Sequence, residues 1–216
     1  MKILFFGDSI TDAGRNRDNP NMQSGLGYGY VRVIADRLLG EKPDSHTIIN
    51  TGISGNRIVD LYARIKTGVW QHEPELISIL IGINDIWHEI THKNGVEPER
   101  FEKVYRMLIE DTQKKLPNAR FILCEPFVLE GTATCATEEM PDRYERFKGV
   151  YEYAEITKRL AKEYGFYFLP IQDKFTEAAK KLGAQYYAPD GVHPNVGGSS
   201  LIATEWMKLF NEKIAK

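Results

Sequence analysis

Short apolar runs rich in β-branched and aromatic residues alternate along this chain with longer segments of helical period. That alternation is the pattern of a parallel sheet covered by helices on both faces. The first run is Ile3 to Phe6; Val31, Ile34, Ala35 and Leu38 follow at helical spacing, with Gly40 placed to close that helix. A short strand is expected at Thr47 to Asn50 and a helix from about Ile58 to Val69. Leu76 to Ile83, LISILIGI, is apolar on both faces and belongs in mid-sheet. Phe101, Val104, Tyr105, Leu108 and Thr112 make a further amphipathic stripe, closed by Pro117-Asn118 ahead of a strand from Arg120 to Cys124 that Glu125-Pro126 ends. A long helix is expected from about Asp142 to Tyr164, with Phe147, Val150, Tyr151, Ala154 and Ala161 inward. Phe166 to Leu169 supplies a fifth strand, and a last helix spans about Val196 to Ile214. The expectation is a three-layer α/β/α sandwich with a five-stranded parallel sheet, formed as one domain over residues 1–216. Open sheets of this kind bind ligands beyond the carboxyl ends of their strands.

Composition narrows the functions. The 28 Lys and Arg nearly balance 30 Asp and Glu, and no basic run tracks a phosphate backbone, so nucleic acid is not expected as a partner. Two cysteines, Cys124 and Cys135, make no disulfide framework and suit a reducing compartment. Four apolar residues after Lys2 fall far short of a secretory signal, and no run approaches a membrane span. A cytoplasmic protein without a membrane partner is the expectation.

Four segments at predicted strand ends, or just before the last helix, carry chemistry. Gly7-Asp8-Ser9 presents a hydroxyl directly after the first strand, although Asp8 or Ser9 could serve only as a turn or cap residue. Asp190-Gly191-Val192-His193-Pro194 puts a carboxylate and an imidazole three residues apart. Asp190 can then accept from His193 Nδ1 and leave Nε2 free to take a proton from a serine; the plainer alternative is an Asp-Gly turn beside a surface histidine. Ile53-Ser54-Gly55-Asn56 and Gly82-Ile83-Asn84-Asp85 offer a closely approaching backbone N–H and a side-chain amide, the groups that bind an oxyanion. Gly55 could equally be a turn residue and Asn84 the N-cap of a helix from Asp85 to His92.

Taken together, Gly7-Asp8-Ser9-Ile10, Ser54-Gly55-Asn56, Gly82-Ile83-Asn84-Asp85 and Asp190 to His193-Pro194 resemble the ordered blocks of the SGNH (GDSL-type) esterases and lipases, in register from residue 3 to about 210. Gly52 to Asn56 and Ile81 to Trp87 look most like the branch of intracellular acetylxylan and other sugar acetylesterases. Some members of that branch carry an aromatic residue directly before the catalytic aspartate, where this chain has Pro189. The resemblance implies a serine esterase with Ser9 as nucleophile, His193 as base and Asp190 as its orienting acid. It further implies oxyanion donors from Ser9, Gly55 and Asn84, no cofactor, a small acylated substrate such as an acetylated sugar, and a possible homo-oligomer. Asp8 and Trp87 are placed on the substrate side of the cleft, Trp87 being equally good core material.

Other features compete with that reading. His88-Glu89-Ile90-Thr91-His92 matches the H-E-x-x-H zinc motif, but Asn94-Gly95 stops the segment early and no separate third ligand is evident, so no metal is expected and these side chains should face solvent. Tyr28, Tyr30 and Tyr186-Tyr187 could stack on sugar rings or simply pack. Glu138 to Lys148 reads as a solvated helix face. Two alternatives stay open: a lipase- or lysophospholipase-like esterase of longer acyl chains, and a non-catalytic α/β module binding a phosphorylated ligand. The second lacks a phosphate-cradling glycine motif and would set Asp8 and Asp12 against the anion.

Overall fold

A computed structural model describes residues 1–215. Its strands are β1 (Lys2–Gly7), β2 (Thr47–Asn50), β3 (Leu76–Leu80), β4 (Arg120–Cys124) and β5 (Tyr167–Leu169), all paired parallel in the order β2-β1-β3-β4-β5. Every residue of β3 is buried, as its doubly apolar run requires at the centre of a sheet covered on both faces. The helices are α1 (Ser9–Asp12), α2 (Tyr30–Glu41), α3 (Ile58–Ala63), α4 (Ile65–Gly68), α5 (Ile83–His92), α6 (Pro98–Lys115), α7 (Arg143–Phe147), α8 (Val150–Glu163), α9 (Gln172–Leu182) and α10 (Val196–Lys213).

The period-two alternation of the strands divides the core in two. Ile3, Phe5, Leu76, Leu80, Ile122 and Cys124 point to one face, where Val31 and Ile34 of α2, Phe175 of α9 and Trp206 and Phe210 of α10 cover them. Leu4, Phe6, Ile77, Ile79, Phe121 and Leu123 point to the other, under Ile58 and Leu61 of α3, Phe101, Tyr105 and Leu108 of α6, and Leu160 of α8. Ser78, alone polar within β3, is satisfied on the first face by the Trp206 indole, whose Nε1–H donates to its Oγ at 3.1 Å. The strand order reverses direction between β1 and β3, so the crevice beyond their carboxyl ends is the place for a site.

Several boundaries differ from the sequence reading. Gly40 lies inside α2 with open space around it, and the chain leaves the helix only at Lys42. The helix expected over 58–69 is broken at Arg64 (φ −109°, ψ 18°), and the one expected over 142–164 is broken at Gly149. A methyl at Gly149 would collide with Ile86 of α5, so the glycine lets the α7–α8 junction close onto that helix. Tyr151, expected inward, is 39% exposed. The strand expected over 76–83 ends at Leu80, and Ile83 already begins α5. α9 was not foreseen.

Candidate active site

Gly7 ends β1 where a side chain would stand 2.5 Å from Leu80 O, so glycine is what lets the end of β1 lie against β3. Asp8 then caps α1, its Oδ1 accepting from Ile10 N–H at 3.0 Å, and Ser9 opens the helix at the crevice. From the opposite end of the chain, Gly191 at φ +95° turns the backbone so that Asp190 folds back on the segment after it. Asp190 Oδ1 accepts from the N–H groups of Val192 (2.9 Å) and His193 (2.7 Å). Its Oδ2 pairs with His193 Nδ1 at 2.6 Å. The buried segment after β4 braces this turn, with Leu129 N–H donating to Gly191 O and Ala133 N–H to Asp190 O.

The structure therefore brings together three sequence-predicted residues from positions about 180 apart: His193 Nε2 lies 2.8 Å from Ser9 Oγ. A carboxylate on Nδ1 fixes the tautomer with the proton there, leaving Nε2 to accept from the serine hydroxyl. Burial would lift the Asp190 carboxyl, but the bonds from the His193 ring and from the two backbone N–H groups outweigh it and hold it below the ordinary carboxylate range. The bond to Asp190 raises His193 above its ordinary value; burial opposes this, and the charges of Asp190 and Asp8 reinforce it.

The segment after β2 reaches the Ser9 cleft at Ser54, and Gly55 and Asn84 lie outside that lining. Gly55 adopts φ +82°. Asn84 lies in the first turn of α5, with Gly82 rather than Asn84 at the cap position, and its Nδ2 donates to Asn56 O at 3.1 Å. One of its two amide hydrogens remains for another acceptor. Asp85, next in the chain, is buried and uses Oδ1 to hold Ile58 N–H at 3.0 Å, fixing the start of α3 against that of α5.

Asp8, placed on the substrate side from sequence, is a correction: it is 0% exposed and cannot touch a substrate. Burial instead pushes its carboxyl up to about 7, against the pull of the Ile10 N–H and of His193. Trp87 is half-buried, its ring centroid 5.9 Å from that of His193 and 5.4 Å from that of Phe147, so it props the imidazole against the core. Tyr30 is core, 1% exposed, with its hydroxyl bonded to Thr11 Oγ1 at 3.0 Å. Tyr28 lines the cleft of about 260 Å³ around Ser9, together with Ile10, Ser54, His193 and Pro194. A larger groove of about 900 Å³ follows the free edge of β2 and contains neither Ser9 nor His193, so size alone does not locate the chemistry.

Two polar clusters that stitch the loops together were not read as such from sequence. Asp12 Oδ2 accepts from Ser54 N–H (3.0 Å), Ser54 Oγ (3.1 Å) and Arg17 Nη2 (2.7 Å), tying the end of α1 to the segment before Gly55. Arg64, at the break between α3 and α4, donates to Gly7 O (3.1 Å), Thr51 O (2.8 Å) and Asn56 Oδ1 (2.6 Å), with its guanidinium 4.5 Å from the Phe6 ring. Burial, then the charges of Arg15 and Arg17, pull the Arg64 guanidinium down to about 10. The Asp8-Ser9 and Asn56 blocks mark the loops, but nothing in the sequence marks the arginine that fastens them.

His88 and His92 face each other on α5 with ring centroids 5.8 Å apart. Glu89 between them accepts from Gly95 N–H, and no cluster of three metal-ligating side chains occurs among the described residues. No helix among them is long and apolar enough to cross a membrane.

A hydroxyl, an imidazole and a carboxylate in line at the strand ends of a doubly wound sheet are the equipment of a serine hydrolase. The sequence profile of the GDSL-like lipase/acylhydrolase family matches residues 5–201, and the chain belongs to that family. It is 34% identical over 213 residues to an acetylxylan esterase of Geobacillus stearothermophilus, covering 96% of this chain and 92% of that one. The crystal structure of that esterase, Axe2, superposes with a TM-score of 0.82. A Parabacteroides merdae structure described as a GDSL-like lipase, 39% identical, covers 98% of this chain and 96% of its own with a TM-score of 0.88. Thioesterase 1/protease 1/lysophospholipase L1 of Escherichia coli is 29% identical over 79% of this chain and 70% of its own. The protein is a carboxylic ester hydrolase.

Proposed function

We propose that this esterase removes acetyl groups from xylo-oligosaccharides or closely related sugars through an acyl-enzyme on Ser9. The observation that carries the chemistry is the Ser9 Oγ–His193 Nε2–Asp190 alignment at 2.8 and 2.6 Å. The sugar comes from the relative, named an acetylxylan esterase and, in another of its structures, an acetyl-xylooligosaccharide esterase. Two further structures of that relative are of catalytic mutants, one replacing a serine and one an aspartate, the residue types assigned here.

In the first half-reaction His193 Nε2 takes the Ser9 proton as Oγ attacks the ester carbonyl carbon. The carbonyl oxygen becomes an oxyanion, held by the N–H groups of Ser9 and Gly55 and by the Asn84 amide, electrostatic help that is usually the largest single contribution to such a step. The tetrahedral centre collapses, the alkoxy bond breaks, and the proton on Nε2 passes to the leaving sugar hydroxyl. Water then gives a proton to Nε2, attacks the acetyl carbonyl, and releases acetate while Ser9 recovers its hydrogen. Asp190 remains ionised throughout, and orients and stabilises the imidazolium.

A panel of acetylated xylo-oligosaccharides and simple acetate esters, with Ser9→Ala as the blank, tests the whole reading. The variant should lose ~10⁴-fold or more in kcat, because serine and histidine act as a unit. A sulfonyl fluoride should add once, at Ser9. Full activity in Ser9→Ala, or an adduct mapped elsewhere, removes the nucleophile; turnover of simple acetates without acetate release from any sugar removes the substrate alone.

A further inference from the structure

Tyr28 is 78% exposed, more than any other Phe, Tyr or Trp among the described residues, yet its backbone is firmly held. Its N–H donates to Ala13 O at 3.0 Å. The glycines on either side let this strip lie flat on the end of α1: a side chain on Gly27 would stand 2.5 Å from Asp12 O, and one on Gly29 2.6 Å from Ala13 Cβ. Tyr30, two residues on, is locked in the core through Thr11. Beneath the ring lies Gly14 at φ +68°, where a methyl group would collide with Tyr28 Cε1. Three glycines therefore seat an aromatic ring against α1, the short helix that Ser9 opens, while most of the ring stays in water.

Burying Tyr28 in place of exposing it would have favoured folding, so packing does not account for this arrangement. The ring instead forms one wall of the cleft shared by Ser9, His193 and Pro194. An aromatic ring offers an apolar, electron-rich surface, and the polarised C–H bonds on one side of a pyranose are suited to lie on it, whereas a hydrated small alcohol gains little there. We propose that Tyr28 is the stacking platform for the pyranose ring bearing the scissile acetyl group, a specificity-determining residue on the leaving-group side. This inference rests on the sugar reading above and adds to it the surface that recognises the sugar.

The test compares kcat/KM on acetylated xylobiose and on ethyl acetate, which has no ring to stack, for the wild type, Tyr28→Phe and Tyr28→Ala. The sugar-to-ethyl-acetate ratio should fall roughly 3- to 10-fold in Tyr28→Ala, mainly through KM, and hold within about 2-fold in Tyr28→Phe. The ethyl acetate rate of each variant reports that the fold and the Ser9 site survive. Equal losses on both esters in Tyr28→Ala would make Tyr28 a support of α1 and overturn the platform, while leaving the sugar reading intact. A loss in Tyr28→Phe as large as in Tyr28→Ala would assign the effect to the hydroxyl and overturn stacking. If the wild type hydrolyses ethyl acetate but releases no acetate from the sugar, the sugar reading fails and the platform with it.

Discussion

Asp8 is a buried carboxyl beside the Ser9–His193 pair, and its charge bears on when the proposed base can work. The base must be neutral to take the serine proton, and His193 is raised above the ordinary 6.5, first by its bond to Asp190, with the charges of Asp190 and Asp8 adding. The acid limb of kcat/KM should consequently lie above pH ~6.5, and Asp8→Asn, which keeps the cap on Ile10, should move it to lower pH only to the extent that Asp8, itself pushed up to about 7, is ionised there. A pH–rate profile checks both statements; a limb that stays put in Asp8→Asn would detach Asp8 from the base. The same variant has a stability signature. Because Asp8 holds its proton up to about 7 in the folded chain against 3.8 as its ordinary value, the folded state binds more protons across that window. Its contribution to stability therefore falls as pH rises from about 4 to about 7. The Tm difference between Asp8→Asn and wild type should accordingly shift in the variant's favour across that range. That Asp8 is buried was not legible in the sequence: Gly-Asp-Ser after a strand reads equally well with the carboxylate in solvent, and only the three-dimensional closure of β1 against β3 decides it.

Between elements, one guanidinium ties the end of β1 to the loop after β2, and that loop in turn receives the start of α5. Arg64 binds carbonyls at the end of β1 and after β2 and orients the Asn56 amide, while Asn56 O in turn receives Asn84 from the start of α5. The arrangement of the proposed oxyanion donors thus depends on a side chain with a fixed planar fork, which a lysine cannot reproduce. Arg64→Ala should lower kcat by roughly 10-fold or more with a smaller change in KM, and guanidinium at sub-denaturing concentration should restore part of the loss. Arg64→Lys should resemble Arg64→Ala. A steady-state comparison with and without added guanidinium measures this; a loss confined to KM, with no rescue, would make Arg64 a purely structural clamp. The break in helix that exposes this fork was invisible beforehand, because Ile58, Leu61, Ile65 and Val69 keep a helical period straight through Arg64. The strands were legible for the opposite reason. Apolar runs such as LISIL, short and rich in β-branched residues, favour a strand buried on both faces over a helix. α9 escaped notice although Phe175, Ala178, Ala179 and Leu182 stand at helical spacing, because two of the four are alanines and only Gln172 and Phe175 along the helix are buried.

At the scale of the whole molecule, the order of the blocks made the meeting of Ser9, Asp190 and His193 legible, since topology gathers the end of β1 and the turn before α10. What spacing could not supply is the shape of the cleft, and shape sets the acyl preference. The cleft around Ser9 is about 260 Å³ in all; with its Tyr28 wall given to the sugar, Ile10, Ala13 and Pro194 are left to bound the acyl group. Ile10 belongs to the core and is 4% exposed, so it has little room to retreat. An acetyl group fits such a site, whereas a longer chain that must displace these packed side chains overpacks it at a cost of order 1 to 3 kcal/mol, or ~10- to 150-fold in kcat/KM. Across nitrophenyl esters from C2 to C8, efficiency should fall from acetyl to butyryl and fall further to octanoyl. A relative in Escherichia coli, 29% identical, is named a thioesterase and lysophospholipase, and a fold by itself does not dictate the acyl group taken. Efficiency rising with chain length would place this enzyme with acyl-chain hydrolases, and would mean that the acyl group leaves the cleft along a route that Ile10 and Pro194 do not block.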